Sequence, residues 1–181
     1  MIFTPFYKIG WPVAFSKGVE IKNSIYIQME RRVYIGKNAL IQVEPFHHLK
    51  FGSHKPKLKI GNYVSIGAGA VISAVSDIEL EDDVIIAPYC YIADNSHSFD
   101  RVDVSIKYQG LDKVSPVKIK KGAWLGWNSV ICPGVTIGKN SVIGANSVVT
   151  KDIPDYCVAV GAPAKVIKKY DFESGKWLKI G

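Results

Sequence analysis

Aliphatic residues recur at every sixth position, without a break, through the C-terminal half of the chain. The positions that carry this repeat are Ile119, Leu125, Ile131, Ile137, Ile143 and Val149. The residue four positions later is mostly small, and a glycine directly follows three of the six. An α-helix, with its period of about 3.6 residues, cannot hold such a stripe on one face. Each hexad therefore predicts a short strand and a tight turn, with the aliphatic side chain directed inward.

The same six-residue spacing extends upstream. It runs through Ile60, Ile66 and Ile72 and again through Leu80, Ile86 and Ile92, with a phase slip of two residues between the two runs. A short fixed period of this kind is typical of parallel β-solenoids, in which each repeat packs on its neighbours. The sequence therefore predicts an all-β fold, a parallel β-helix built from hexapeptide repeats.

The chain is expected to form a single domain over residues 1–181. With 181 residues, 48% of them hydrophobic and 22% charged, it is long enough to bury one core. We expect irregular N-terminal rungs over about 19–57, a regular β-helix over 58–167 and a short C-terminal cap over 168–181. Aromatic residues near the N-terminus are expected to cap the other end.

Composition excludes several classes of function. No apolar run approaches the roughly 18 residues of a membrane span, and the first residues lack the pattern of a signal peptide, so we expect a cytoplasmic protein. The three cysteines share no metal-like spacing, so reduced, packed thiols and no metal are expected. The net charge of +7 would suit nucleic acid, but the lysines cluster at two separate places with no recognition motif. A small polyanion fits them better.

The repeat stops after Ile92 and resumes at Ile119. The interruption predicts one extruded loop over about 98–117, and loops longer than about 12 to 15 residues are usually functional. His97 lies at the root of this loop, where the solenoid provides a rigid support. The other histidines, His47, His48 and His54, fall in one irregular stretch and are interpreted as a surface loop.

His97 is the candidate catalytic residue because an imidazole titrates near neutral pH and can accept a proton from a substrate. One ring nitrogen would accept that proton, while a carboxylate or carbonyl fixes the other. Asp94 and Asp100 are both candidates for this second contact, and the sequence does not choose between them. The alternative is that His97 is a plain solvent-exposed histidine.

Six segments of the chain together resemble the hexapeptide-repeat acyltransferases. The match is closest to the maltose and galactoside acetyltransferase-like branch, which includes O-acetyltransferases of bacterial surface polysaccharides, and it covers about residues 58–170. The segments that carry it are Asp94–Asp100, Ile106–Gly110, Trp124–Gly126, Pro133–Gly138, Val148–Pro154 and Gly161–Ile167.

The resemblance implies a left-handed parallel β-helix of triangular section that assembles as a homotrimer. It also implies active sites between neighbouring subunits and transfer of an acetyl group from acetyl-CoA to a sugar or glycan acceptor. His97 matches the catalytic base of the family, which deprotonates an acceptor hydroxyl for direct attack on the thioester. The chain departs from the family pattern at Asn95, where a histidine is usual.

The resemblance further implies which residues hold acetyl-CoA. Some positions match groove residues near the pantetheine arm, and the last two match basic residues near the nucleotide phosphates. These positions are Trp127, Ala145, Thr150, Lys151, Lys165 and Lys168.

Other functions stay open at this point. An N-acetyltransferase acting on an amino sugar or a nucleotide-linked amino sugar is the nearest alternative, because an amine needs less help from a base. A zinc carbonic anhydrase on the same fold would need three converging histidines, and only His97 stands at a suitable position. A non-catalytic structural solenoid would assign no role to His97 or to the extruded loop.

Overall fold

The fold was analysed in a computed structural model that describes residues 5–44 and 57–180. The histidines His47, His48 and His54 therefore lie outside the described residues. Within these two ranges the secondary structure consists of short strands and two 3-10 helices, Ser24–Tyr26 and Ile106–Tyr108. The all-β prediction is confirmed.

The strands are numbered here in chain order. Those before the interruption of the repeat are β1 Lys8–Ile9, β2 Val13–Phe15, β3 Glu20–Lys22, β4 Ile27–Met29, β5 Val33–Ile35, β6 Leu40–Val43, β7 Leu58–Ile60, β8 Ser65–Ile66, β9 Val71–Ala74, β10 Ile78–Leu80, β11 Ile85–Ile86 and β12 Tyr91–Ala93. Those that follow are β13 Ser96–His97, β14 Leu111–Asp112, β15 Val117–Ile119, β16 Trp124–Leu125, β17 Val130–Ile131, β18 Thr136–Ile137, β19 Val142–Ile143, β20 Val148–Val149, β21 Cys157–Gly161, β22 Ala164–Asp171 and β23 Lys176–Lys179.

The strands form three long sheets, and successive strands of the chain belong to successive sheets. Sheet A has the order β1-β4-β7-β10-β15-β18, sheet B the order β2-β5-β8-β11-β16-β19-β21-β22-β23, and sheet C the order β3-β6-β9-β12-β17-β20. Within these three sheets all pairings are parallel up to β21. The chain therefore winds as a three-sided parallel coil.

Three corners connect the sheets, and they are called the A–B, B–C and C–A corners. In one complete turn they are residues 120–123, 126–129 and 132–135. Several corners contain an asparagine with positive φ, such as Asn128 at 54° and Asn146 at 57°. Asparagine is one of the few residues other than glycine that enter the left-handed region readily. The tight turn is therefore possible without strain at these asparagine corners.

The core is a stack of the inward aliphatic residues. On sheet A, Ile60, Leu80, Ile119 and Ile137 lie opposite one another on successive strands, and each is at most 1% exposed. The small residues of the hexads are also buried. Ser141, for example, donates a hydrogen bond to the Pro154 carbonyl at 2.6 Å. The aliphatic positions of the sequence repeat are thus the positions that form the core.

The coil differs from the expected boundaries at both ends. Its first strands, β1 and β2, already pair in parallel with the next turn, so the coil begins before residue 19. At the other end, β22 starts at Ala164 and runs antiparallel to β21 and β23. The chain reverses at Gly161, whose φ of 103° is suited to glycine. The cap therefore begins a few residues earlier than the predicted residue 168. The described ranges contain no helix long and apolar enough to cross a membrane.

The interruption of the repeat lies where it was expected, between β12 and β15. The chain leaves sheet C at Ala93 and enters sheet A at Val117. Between them β13 and β14 form an antiparallel ribbon of two strands, followed along the C–A corner by the return to the coil. This segment is called the extruded loop below.

Candidate active site

The extruded loop is closed at its neck by main-chain hydrogen bonds. The Ser115 amide donates to the Asp94 carbonyl at 2.8 Å, and the Gly134 amide donates to the Ser115 carbonyl at 3.0 Å. Beyond the neck, His97 pairs with Leu111 across the ribbon. His97 is therefore held by its backbone immediately outside the coil.

The His97 side chain is exposed. Within residues 5–44 and 57–180, no side chain or carbonyl forms a hydrogen bond with its imidazole. Both ring nitrogens can therefore reach a bound molecule or a neighbouring copy of the chain. A free imidazole at a fixed backbone position can act as a general base.

The two carboxylates expected near His97 take other places. Asp94 is fully buried, and its oxygens accept hydrogen bonds from the amides of Val75 at 2.8 Å, Ser76 at 2.6 Å and Asp77 at 2.9 Å. These donors occupy the carboxylate, so Asp94 is not the hydrogen-bond partner of the His97 ring. Asp100 is exposed and, in the part of the chain that the structure describes, makes no bond to His97 either.

A row of polar side chains lies along the end of sheet C beside the loop. Gln42 donates through Nε2 to the Ser73 hydroxyl at 3.1 Å, and Asn95 donates through Nδ2 to the Ser73 carbonyl at 3.3 Å. Ser73 lies between Gln42 and Ala93 in the strand register. The sequence reasoning missed this row. A signal was available for Gln42 and Ser73, because each directly follows an inward position of the repeat, Ile41 or Ile72.

Thr150 and Lys151 lie at the same corner as the extruded loop. They directly follow β20, and sheet C carries β12, β17 and β20 on adjacent positions. Since neighbouring strands are about 4.8 Å apart, these residues lie roughly two strand spacings from the root of the loop. Both side chains are exposed.

The other expected acetyl-CoA residues lie elsewhere on the chain. Trp127 and Ala145 are exposed at the B–C corner, across sheet C from the loop. The Trp127 and Tyr89 rings form a T-shaped pair, with ring centroids 5.7 Å apart. Lys165 and Lys168 lie on β22 in sheet B. A single copy of the chain therefore does not bring all the predicted site residues together.

Comparison with known proteins places the chain in a family. A family model described as bacterial transferase hexapeptide (six repeats) matches residues 116–151. The galactoside O-acetyltransferase of Escherichia coli K12 is 36% identical over 151 residues, which cover 83% of this chain and 70% of that protein. The chain belongs to the hexapeptide-repeat acetyltransferases.

Other members of the acetyltransferase family are also similar to this chain. A probable acetyltransferase of Mycobacterium tuberculosis is 39% identical over 159 residues, covering 86% of this chain and 49% of that protein. The chain thus spans about half the length of that relative. The structure of a hexapeptide-repeat acetyltransferase from Vibrio cholerae, complexed with acetyl-CoA, has a TM-score of 0.61 at 26% identity, covering 86% of this chain and 72% of that one.

The cap of this acetyltransferase-family chain is strongly basic. Lys168 and Lys179 lie directly opposite each other on β22 and β23, an arrangement of like charges that is unfavourable on its own. In the described ranges the ion pairs use other lysines, namely Lys8, Lys59, Lys118, Lys120 and Lys121. The cap lysines are therefore available to an anion. No group of described His, Cys, Asp and Glu side chains could hold a metal ion.

Proposed function

We propose that this chain transfers the acetyl group of acetyl-CoA to a hydroxyl of a sugar, with His97 as the general base. The observation that carries the proposal is the exposed, unbonded His97 imidazole on a ribbon fixed to the coil of an acetyltransferase family. The acceptor class we propose is a glycan precursor of a bacterial surface polysaccharide. The reaction would occur in the cytoplasm, where acetyl-CoA is available.

The transfer would proceed by direct attack. A ring nitrogen of His97 accepts the proton of the acceptor hydroxyl while the oxygen attacks the thioester carbonyl. The tetrahedral intermediate then collapses, the carbon–sulfur bond breaks, and the imidazolium returns the proton to the leaving thiolate of CoA. An imidazole can both accept and return a proton, which suits the two steps. Backbone amides facing the carbonyl would stabilise the oxyanion.

Acetyl-CoA would lie in a cleft between two copies of the chain. Its pantetheine arm would contact Trp127 and Ala145 from one side and Thr150 and Lys151 from the other, with the phosphates near the cap lysines Lys165 and Lys168. This arrangement follows from the separation of the B–C and C–A corners within one chain. It requires a closed oligomer, and we propose a homotrimer of left-handed coils with three equivalent clefts.

The outer faces of sheets B and C support this assembly. The outward residues of sheet B, in register, include Tyr34, Ile85, Trp124 and Val142, and those of sheet C include Leu40, Val71, Tyr91, Val130 and Val148. Ile85 is 52% and Trp124 48% exposed in the isolated chain. Contiguous apolar surface of this kind marks contacts between proteins. Two different apolar faces on one chain are what a ring of identical subunits needs.

The test is release of CoA from acetyl-CoA, followed with a thiol reagent across hexoses, amino sugars and their nucleotide conjugates. We expect turnover with a hydroxyl acceptor and a fall of about 10²- to 10⁴-fold in His97→Ala. Val102→Ala is the matched control, because Val102 lies in the same loop with a fully exposed side chain. It should keep the wild-type rate.

Other outcomes of the same assay would replace the proposal. Turnover with amines alone, retained in His97→Ala, would establish an N-acetyltransferase. Absence of turnover together with absence of acetyl-CoA binding by calorimetry would favour a structural solenoid.

A further inference from the structure

Asp94 is a buried carboxylate that the transfer reaction does not use. It is 0% exposed, and its two oxygens together accept hydrogen bonds from three consecutive backbone amides, those of residues 75–77. A fourth hydrogen bond, at 3.0 Å, comes from Nδ2 of Asn95. Burial of a charge is costly unless hydrogen bonds compensate it. Four donors to one carboxylate meet that requirement.

The same residue also lies at the neck of the extruded loop. Its carbonyl accepts the hydrogen bond from Ser115, where the loop ends, and its side chain holds the corner of the preceding turn. The last residue of that corner, Asp77, accepts through its carbonyl from Val117, where the coil resumes, at 3.0 Å. Asp94 thus joins the entry of the loop, its exit and the turn beneath it.

The position of His97 depends on this neck. His97 comes three residues after Asp94, and the ribbon that carries it begins at Ser96. Among the described residues no group forms a hydrogen bond with the His97 ring, so only the backbone fixes the position of the imidazole. A displacement of about 1 Å at a reacting group can cost about 100-fold in rate.

We propose that Asp94 is a positioning residue that fixes the root of the His97 loop through the amides of residues 75–77, an inference that rests on the proposed role of His97 as base. The carboxylate does not touch the imidazole, so it sets where the base stands and leaves its basicity unchanged. Hydrogen bonds from amides to a charged acceptor are stronger than neutral ones. An asparagine at position 94 would lack the negative charge, and its NH₂ group would face backbone N–H groups that need an acceptor.

The experiment compares Asp94→Asn with Asp82→Asn. Asp82 is the matched control, because it also accepts a corner amide, that of Asn62 at 2.7 Å, but at the A–B corner away from the loop. For Asp94→Asn we expect kcat to fall about 10- to 100-fold with the KM for acetyl-CoA unchanged. The pH at which the His97 limb of the kcat/KM profile titrates should not move. Asp82→Asn should keep the wild-type kcat.

Two results would overturn the proposal. An unchanged kcat in folded Asp94→Asn would show that the neck does not position the base. A shift of the histidine limb to lower pH would show that the carboxylate acts on the imidazole itself.

Hydrogen exchange of the wild type and the variants separates this proposal from the proposed function. Asp94→Asn should increase exchange at the amides of Ser115 and Ser98, which close the neck and the ribbon, and Asp82→Asn should not. This readout holds even where no acceptor is turned over. If Asp94→Asn does not fold, Asn95→Ala takes its place. This variant removes one hydrogen-bond donor to Asp94 and keeps the charge of the carboxylate, so it should increase exchange at the same amides by a smaller amount. Protection equal to wild type in Asn95→Ala would then contradict the proposal.

Discussion

The outer face of sheet A differs from the outer faces of sheets B and C, although all three sheets share one core. Along sheet A the outward residues in register are Lys8, Gln28, Lys59, Glu79, Lys118 and Thr136. Several of them form ion pairs, such as Lys59 with Asp77 at 3.4 Å and Lys118 with Glu79 at 3.1 Å. Apolar residues occupy most of the corresponding positions of sheets B and C.

One turn of the coil displays the contrast within a few residues. Lys118, Trp124 and Val130 follow each other at intervals of six and point outward from sheets A, B and C. Their inward neighbours Ile119 and Leu125 are both 0% exposed. The hexad repeat therefore determines the core. The outward residue beside each inward position determines whether the outer face of that sheet is polar or apolar. In the proposed trimer, sheet A would meet water, and sheets B and C would meet other copies of the chain.

Charge on an apolar face should have the largest effect. We expect Trp124→Glu to convert the proposed trimer to monomers, because a carboxylate buried in an interface without a partner costs several kcal/mol. The control is Thr136→Glu on sheet A, where the new carboxylate would lie opposite Lys118. Sedimentation velocity measures both. A trimeric Trp124→Glu would show that sheet B faces solvent.

Truncation of a core side chain should reduce the stability of the fold equally beneath the charged face and beneath an apolar face. Ile119→Ala beneath the charged face and Leu125→Ala beneath an apolar face should each reduce the free energy of unfolding by about 2 to 5 kcal/mol. Urea denaturation of the two variants gives the comparison. A clearly smaller loss for Ile119→Ala would mean that the sheets differ in their packing as well as in their outer surfaces.

The sequence predicted the coil because its signal is periodic and local. Each inward aliphatic residue marks its own strand, and residues six positions apart lie on successive sheets around one core. The apolar outward positions, such as Ile85 and Tyr91, were equally visible, but their meaning depends on which sheet each strand joins. That assignment requires the number of strands in each turn. The period of six does not give this number; the resemblance implied it through the triangular section, and the structure shows it.

The candidate site was less predictable. The position of His97 at the root of the loop followed from the interruption of the repeat. The hydrogen bonds of the Asp94 side chain did not, because its partners lie 17 to 19 residues earlier in the chain, at a corner with no distinctive residue pattern. The start of the cap at Ala164 was also missed, since antiparallel β22 follows a chain reversal at Gly161 and has no period of six.

Acid should reduce the stability of the fold by protonating carboxylates that follow the strands of sheet A. Hydrogen bonds from Lys8 to Glu30, from the Asn62 backbone to Asp82 and from the Lys139 backbone to Asp155 lower the pKa of these carboxyls. A lowered pKa in the folded state stabilises the fold above the unfolded pKa of about 4, and this contribution is lost as the pH falls through the folded value. We expect Tm to decline below about pH 4 and the decline to be shallower in Asp82→Asn. An identical decline in the variant would assign the acid sensitivity to other groups.

The smallest effect should come from the ion pairs themselves. Lys118 lies on the outer face of sheet A and contacts two carboxylates, Glu79 at 3.1 Å and Glu81 at 2.9 Å. Because these side chains are partly exposed, Lys118→Met should cost only about 0.2 to 1 kcal/mol, and the difference should disappear near about 1 M salt. Urea denaturation at low and high salt measures it, and the variant should keep the oligomeric state of the wild type. A methionine that instead promotes larger assemblies would show that charge on sheet A has a second consequence: it restricts association to the two apolar faces and keeps the third face free of contacts.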